Sequence, residues 1–205
     1  MKILKKGSRG DDVKILQCAL HLYQDGIFGS LTEEAVKEFQ KAHNLVADGI
    51  VGEKTWQLIL NDSLFVKKST RTIKEIIVHC SATLEGKAYT VDDIRLWHKQ
   101  KGWSDIGYHY VVYLDGSIHN GRNVNISGAH CEGHNTHSIG VCYIGGLDAR
   151  TKKDKDTRTD KQKDALVGLL KRLRGLYPNA RIYGHNNFSS KRCPCFDAKT
   201  EYRNI

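Results

Sequence analysis

An eight-residue segment recurs within the first sixty residues: DGIFGSLT at 25–32 returns as DGIVGEKT at 48–55, displaced by 23 residues. In each copy Asp-Gly marks a turn, Ile and the next apolar residue anchor it, and a second Gly leads towards a helix. The repeat therefore prescribes turn-then-helix, twice over. Around the turns, Val13, Leu16 and Leu20 share one helical face and Ala35, Val36 and Phe39 another, while a third helix carries Trp56 and Ile59. Ser30 with Glu33 has the spacing of a capping box for the second helix. Taken alone, this segment reads as a small all-α domain.

The pattern changes after it. Polar and basic residues in NDSLFVKKSTRT break the helical periodicity, so the expected organisation is a domain over residues 1–62, a linker over 63–72 and a second domain over 73–205. In the second domain Ile73 to His79 reads as a buried strand with His79 at its C-terminal end. Thr90 with Asp93 opens a helix through Trp97, and YHYVVY, LDGS and SIHN make a hairpin. SIGVCYI at 138–144 is another apolar strand, and Arg150 to Arg158 an exposed loop. Thr159 with Gln162 caps a helix to about Leu176, and RIYGH is a strand delivering His185. Helices interleaved with strands predict an α/β fold, a mixed central β-sheet flanked by helices.

Histidines at strand ends matter because loops meet a rigid sheet there and side chains can converge. His79 and His185 occupy such ends, and Cys193 follows in HNNFSSKRCPC on a loop stiffened by Pro194. Two imidazoles and a thiolate suffice for a catalytic zinc, which takes three protein ligands and leaves a position open, whereas structural zinc takes four. A competing set, His130, Cys131, His134 and His137 in AHCEGHNTH, has spacing that would also suit a metal, but the segment reads as a loop rich in Gly, Asn and Ser. His98, His109 and His119 read as structural.

Charge and cysteine content narrow the surroundings. The formal net charge of +9 is uneven: residues 1–66 hold 8 Lys/Arg against 9 Asp/Glu, and residues 67–205 hold 24 against 14. Nucleic acid, anionic lipid and acidic wall polymer all suit a basic second domain. No apolar run is long enough to span a bilayer, so no membrane insertion is expected. MKILKKGSRG lacks the apolar stretch of a secretory signal. The six cysteines are too few for a disulfide scaffold, and Cys18, Cys80 and Cys142 read as small buried hydrophobes, with a Cys80–Cys142 bridge left open.

Residues 3–60, through LKKGSRGDDVKILQ, TEEAVKEFQKAHNL and DGIVGEKTW, resemble the three-helix peptidoglycan-binding domain found beside cell-wall hydrolases. That resemblance makes Asp25, Phe28 and Asp48 substrate-contact candidates, although each singly also serves a turn. From about Ile76 to Asp197 the chain resembles the zinc-dependent N-acetylmuramoyl-L-alanine amidases of the T-odd phage lysozyme type, relatives of the peptidoglycan recognition proteins. The motifs are VHCSAT (78–83), IRLWHKQKGWSDIGYHY (94–110), SIGVC (138–142) and the stretch from His185 through KRCPCFD. The resemblance implies one zinc held by His79, His185 and Cys193, Tyr108 and Lys191 as catalytic partners, and His130 on a groove wall touching substrate. Cys195 departs from the family pattern, which has a small residue there, so a spare thiol stands near the expected metal.

The expected function is hydrolysis of the amide between N-acetylmuramic acid and the L-alanine of the stem peptide by zinc-activated water. The partner is bacterial peptidoglycan, with no nucleic acid and a monomeric chain. The alternative is a peptidoglycan-recognition protein without catalysis; members of that kind typically lack the thiol ligand that Cys193 supplies here. A nucleic-acid-binding regulator rests on charge alone, with no motif behind it. Without a leader the chain is expected to be made in the cytoplasm and to act at the wall as phage or prophage endolysins do, or to be secreted if its signal has been removed.

Overall fold

A computed structural model describes residues 2–20, 22–61, 66 and 68–205, and the chain divides into two compact units, Met1–Phe65 and Val66–Ile205. In the first unit, helices α1 (Asp11–Ala19), α2 (Ser30–Ala42) and α3 (Glu53–Asn61) enclose a core of Val13, Leu16, Phe28, Val36, Phe39, Val51, Trp56 and Ile59. The repeat is deeper than the eight-residue segment. Gln17 and Gln40, again 23 apart, are both buried and each organises the turn that follows it. Gln17 Nε2 donates to Asp25 Oδ1 (2.7 Å) and the Ile27 carbonyl (3.0 Å), while its Oε1 accepts from the Gly26 N–H (2.9 Å). Gln40 does the same with Asp48 Oδ1, the Ile50 carbonyl and the Gly49 N–H, all at 2.9 Å. Gly26 (φ 72°) and Gly49 (φ 77°) take the left-handed conformation these turns need.

This arrangement corrects the sequence reading of Phe28 and gives Asp25 and Asp48 a task within the turns. Phe28 is 1 % exposed and belongs to the core, so it offers no surface to a ligand. Asp25 and Asp48 each commit Oδ1 to a glutamine and to a backbone N–H two residues on, at 2.8 Å. Hydrogen bonding, led by Gln17 for Asp25 and by the Ile50 N–H for Asp48, lowers both carboxyls below their usual range. The Ser30–Glu33 capping box does not form. Gly29 is the N-cap and makes no side-chain bond, because Ser30 is already helical, and Glu33 pairs with Lys6 and Lys37 at 3.1 Å instead.

The second unit contains a five-stranded sheet in the order β4-β3-β5-β1-β7, formed by β1 (Glu75–Cys80), β3 (Tyr110–Val112), β4 (Ile118–Asn120), β5 (Ser138–Tyr143) and β7 (Arg181–Gly184). A small parallel pair joins β2 (Thr83–Leu84) to β6 (Gly146–Leu147). Only β3–β4 is antiparallel in the main sheet, as the hairpin predicted, and the mixed sheet follows. Helices α4 (Val91–Gln100) and α5 (Asp160–Leu176) start at the two expected capping boxes, Thr90–Asp93 and Thr159–Gln162, and a short α6 (Ala198–Glu201) closes the chain. From α5, buried Gln162 donates to the carbonyls of Val112 (3.2 Å) and Ile144 (3.0 Å), the last residue of β3 and the first after β5.

Two boundaries shift. Residues 62–65 and 67 of the expected linker region lie outside the described residues, but its last part is bonded into the second unit. Ser69 Oγ and Arg71 Nε each donate to the Val124 carbonyl at 2.7 Å, and the Arg71 guanidinium reaches the carbonyls of Asn135 and Ser138. The 150–158 loop is exposed only in part. Arg158 is buried, pairs with Asp156 and Glu201, and lies 3.3 Å from the centre of the Phe196 ring.

Gln40→Ala removes four hydrogen bonds and strands buried backbone groups, so it is expected to destabilise the first unit by about 1–3 kcal/mol. Ser30→Ala, lacking any cap to lose, should stay within about 0.5 kcal/mol. Hydrogen exchange at residues 48–52 of the full chain measures both.

Candidate functional site

Parallel pairing brings the candidate ligands together. Strand β1 lies between β5 and β7, with His79 opposite Cys142 and Val78 opposite Gly184. His185, the residue after β7, therefore emerges next to the end of β1, and the loop that follows returns Cys193 to the same place. In open parallel sheets, ligands gather at the C-terminal ends of strands. One ligand atom from each of His79, His185 and Cys193 can be chosen so that all lie within 4.8 Å of one another. His79 Nδ1 is 3.7 Å from Cys193 Sγ. Zinc bonds of about 2.3 Å to sulfur and 2.0–2.1 Å to nitrogen would set that separation at about 3.6 Å in a tetrahedron. The donor set could thus hold such a metal. Among the described residues it is the one group of this kind.

The surroundings suit neutral imidazoles. His79 is 1 % exposed, and burial first, then the nearby His130, His185 and Lys191 charges, hold it well below the usual imidazole range. Burial and the Lys191 charge lower His185 as well. The Cys80 N–H donates to Cys193 Sγ at 3.2 Å, and the Cys193 carbonyl accepts from Asn186 N–H at 2.7 Å. Tyr143 OH donates to the Pro194 carbonyl at 2.8 Å, tying the cysteine loop to β5. Tyr108 stands with its ring 5.1 Å from that of His79, and burial pushes its phenol well above the ordinary range. Lys191 is exposed on the loop before Cys193.

Two residues sit elsewhere than the sequence reading put them. His130 is buried beneath His79, its Nδ1 3.0 Å from His79 Nε2, instead of forming an open groove wall. The other members of its cluster disperse: His134 pairs with Glu75 at 2.8 Å and stacks on Phe188, His137 approaches the Thr72 carbonyl, and Cys131 is buried. Cys195 takes φ 73° and turns its thiol to Cys80 Sγ (3.8 Å) and the Gly146 carbonyl (3.3 Å), outside the candidate trio. Cys80 is pushed up to about 12, chiefly by its contact with Cys193. Cys80 and Cys142 are both free thiols, while the side chain of Cys18 is outside the described set.

Residues 69–196 match the N-acetylmuramoyl-L-alanine amidase family, and residues 9–59 match the peptidoglycan binding domain family. The chain belongs to the N-acetylmuramoyl-L-alanine amidase family. The endolysin of Enterobacteria phage K11 is 43 % identical over 123 residues, spanning 60 % of this chain and 81 % of that protein. The endolysin of Escherichia phage T7 is 40 % identical over 132 residues, spanning 64 % and 87 %. Among solved structures, the amidase LysC from Clostridium intestinale superposes with a TM-score of 0.55 at 26 % identity, covering 67 % of this chain and 90 % of its own.

Several histidines make the stability of this amidase depend on pH. Burial holds His98 and His109 at about 4 and also lowers His79 and His130, so the folded chain binds fewer protons than the unfolded chain, whose histidines titrate near 6.5. Stability is complete above about pH 6.5 and declines as the pH falls towards 4, above the carboxylate range. The thermal midpoint of metal-free protein should fall across that window; a flat profile would contradict the neutral assignment.

Proposed function

We propose that this amidase works as a zinc enzyme, with His79, His185 and Cys193 holding one metal ion and Tyr108 and Lys191 acting on the substrate. The carrying observation is the convergence of two imidazoles and one thiol at the ends of adjacent parallel strands in an amidase-family chain. Three protein donors are the number a catalytic zinc takes. The bond cleaved is the amide between the lactyl group of N-acetylmuramic acid and the L-alanine of the stem peptide. Bound there, zinc supplies Lewis acidity, polarising the scissile carbonyl and making a water molecule acidic near neutral pH.

The chain's own groups have separable tasks. Lowered basicity keeps the lone pairs of His79 and His185 available at neutral pH. The Cys80 N–H stabilises negative charge on Cys193 Sγ. Tyr108, kept protonated by its burial, donates a hydrogen bond and does not serve as a phenolate base. The Lys191 charge contributes to lowering both histidines, and that nearness supports its role in stabilising the oxyanion of the tetrahedral species. The leaving amine needs a proton, and Tyr108 OH and Lys191 Nζ are the transferable protons this pair offers.

The similarity to phage endolysins supports a lytic enzyme acting at the bacterial wall. Its first unit, matched to the peptidoglycan binding domain family, would hold the enzyme there and raise the local substrate concentration for the second. The positive charge of residues 67–205 suits phosphate-rich wall polymers.

Zinc-loaded protein should release new L-alanine amino termini from peptidoglycan without new reducing sugar ends, and a chelator or Cys193→Ser should abolish the release. Lys191→Ala should lower kcat by about 10²–10³-fold, the effect of losing one oxyanion donor. Wall binding without amino-terminus release would make the chain a recognition protein, and reducing ends would make it a glycosidase.

A further inference from the structure

The two nitrogens of His79 face different surroundings. Nδ1 looks towards Cys193 Sγ at 3.7 Å, whereas Nε2 points the other way and meets His130 Nδ1 at 3.0 Å. His130 continues the chain of contacts, its Nε2 lying 3.3 Å from Ser138 Oγ at the start of β5. We infer that His130 is a positioning residue that fixes His79 with its proton on Nε2, so that the Nδ1 lone pair faces the metal. The inference rests on the zinc reading above and assigns a task to a side chain that has none in it.

Proton counting supports the assignment. One proton can lie between His79 Nε2 and His130 Nδ1. If His130 supplies it, the remaining proton of His79 sits on Nδ1 and blocks the atom nearest Cys193. If His79 supplies it, Nδ1 is free, His130 Nδ1 accepts, and His130 Nε2–H donates to Ser138 Oγ. Only the second arrangement permits ligation through Nδ1. Metal-bound histidines commonly donate their other N–H to an acceptor, which fixes the tautomer and raises ligand basicity. Here a second imidazole fills the place a carboxylate or carbonyl usually takes.

The fold holds His130 as tightly as a ligand. A Cβ on Gly128 would come 2.4 Å from His130 Cδ2, and one on Gly140 would come 2.5 Å from the same atom, so the ring lies in a slot between two glycines. Its backbone N–H donates to Asn135 Oδ1 at 2.8 Å, and its ring meets His109 edge-on with centroids 5.7 Å apart. His109 is itself fixed, its Nδ1 accepting from the Gly140 N–H at 2.9 Å. An apolar side chain in the slot would leave His79 Nε2 buried without this partner.

Two substitutions and one spectrum test the inference. His130→Leu removes the acceptor, and His130→Asn places an amide oxygen near the position of Nδ1. Zinc dissociation constants from chelator competition, with thermal midpoints of the metal-free forms, should show His130→Leu weakened about 10–100-fold and His130→Asn restored most of the way. Long-range ¹H–¹⁵N spectra of zinc-loaded wild type should show His79 protonated at Nε2, a readout that remains if neither variant folds. The inference is overturned if folded His130→Leu binds zinc as wild type does, if both variants lose affinity equally and in step with stability, or if His79 is protonated at Nδ1. Failure of wild type to bind zinc would instead overturn the zinc reading.

Discussion

The site depends on the parallel pairing of one central strand. β1 is flanked by β5 and β7 in a register that ends both neighbours close to His79. Five of its six residues are buried, so sliding it by one residue would carry His79 to the other face. That register sets His79 opposite Cys142 and brings His185 out after Gly184. The sheet therefore positions two candidate ligands before any loop is considered.

The third comes from a loop, and it is tied at several points. The Cys80 N–H, the Asn186 N–H and Tyr143 OH each bond to the segment Cys193–Pro194. Further along, Phe196 lies against the Arg158 guanidinium, itself paired with Asp156 and Glu201. The left-handed backbone at Cys195 then sends two neighbouring thiols to different places: Cys193 faces His79, and Cys195 faces Cys80. Histidine neutrality belongs to the same design, because burial that excludes water also keeps the imidazole lone pairs unprotonated.

Much of this was legible in the sequence. Strand-end position singled out His79 and His185, and the β-rich runs and capping boxes located most of the second unit, because periodicity and capping are local signals. Tyr108 came from family resemblance, since nothing local distinguishes a catalytic tyrosine. What escaped was set by tertiary contact. His130 was expected on a groove wall, and only its buried contact with His79 shows otherwise. Gln17 and Gln40 lie outside the obvious repeat, although extending the comparison by eight residues would have paired them. That Asp25 and Asp48 each bond a buried glutamine through Oδ1 was hidden as well, because the glutamine lies eight residues upstream. Ser30 failed as a cap because the helix began one residue early, and Arg71, in an expected linker, proved to be bonded to the 124–138 loop.

The central claim is a single zinc bound by two imidazoles and one thiolate, with Cys195 excluded although it lies two residues from a ligand. X-ray absorption fine structure at the zinc K-edge of the loaded protein tests it most directly. The account predicts one sulfur at about 2.3 Å and two imidazole nitrogens at about 2.0–2.1 Å, unchanged by Cys195→Ser. Two sulfurs per zinc, or none, would contradict it.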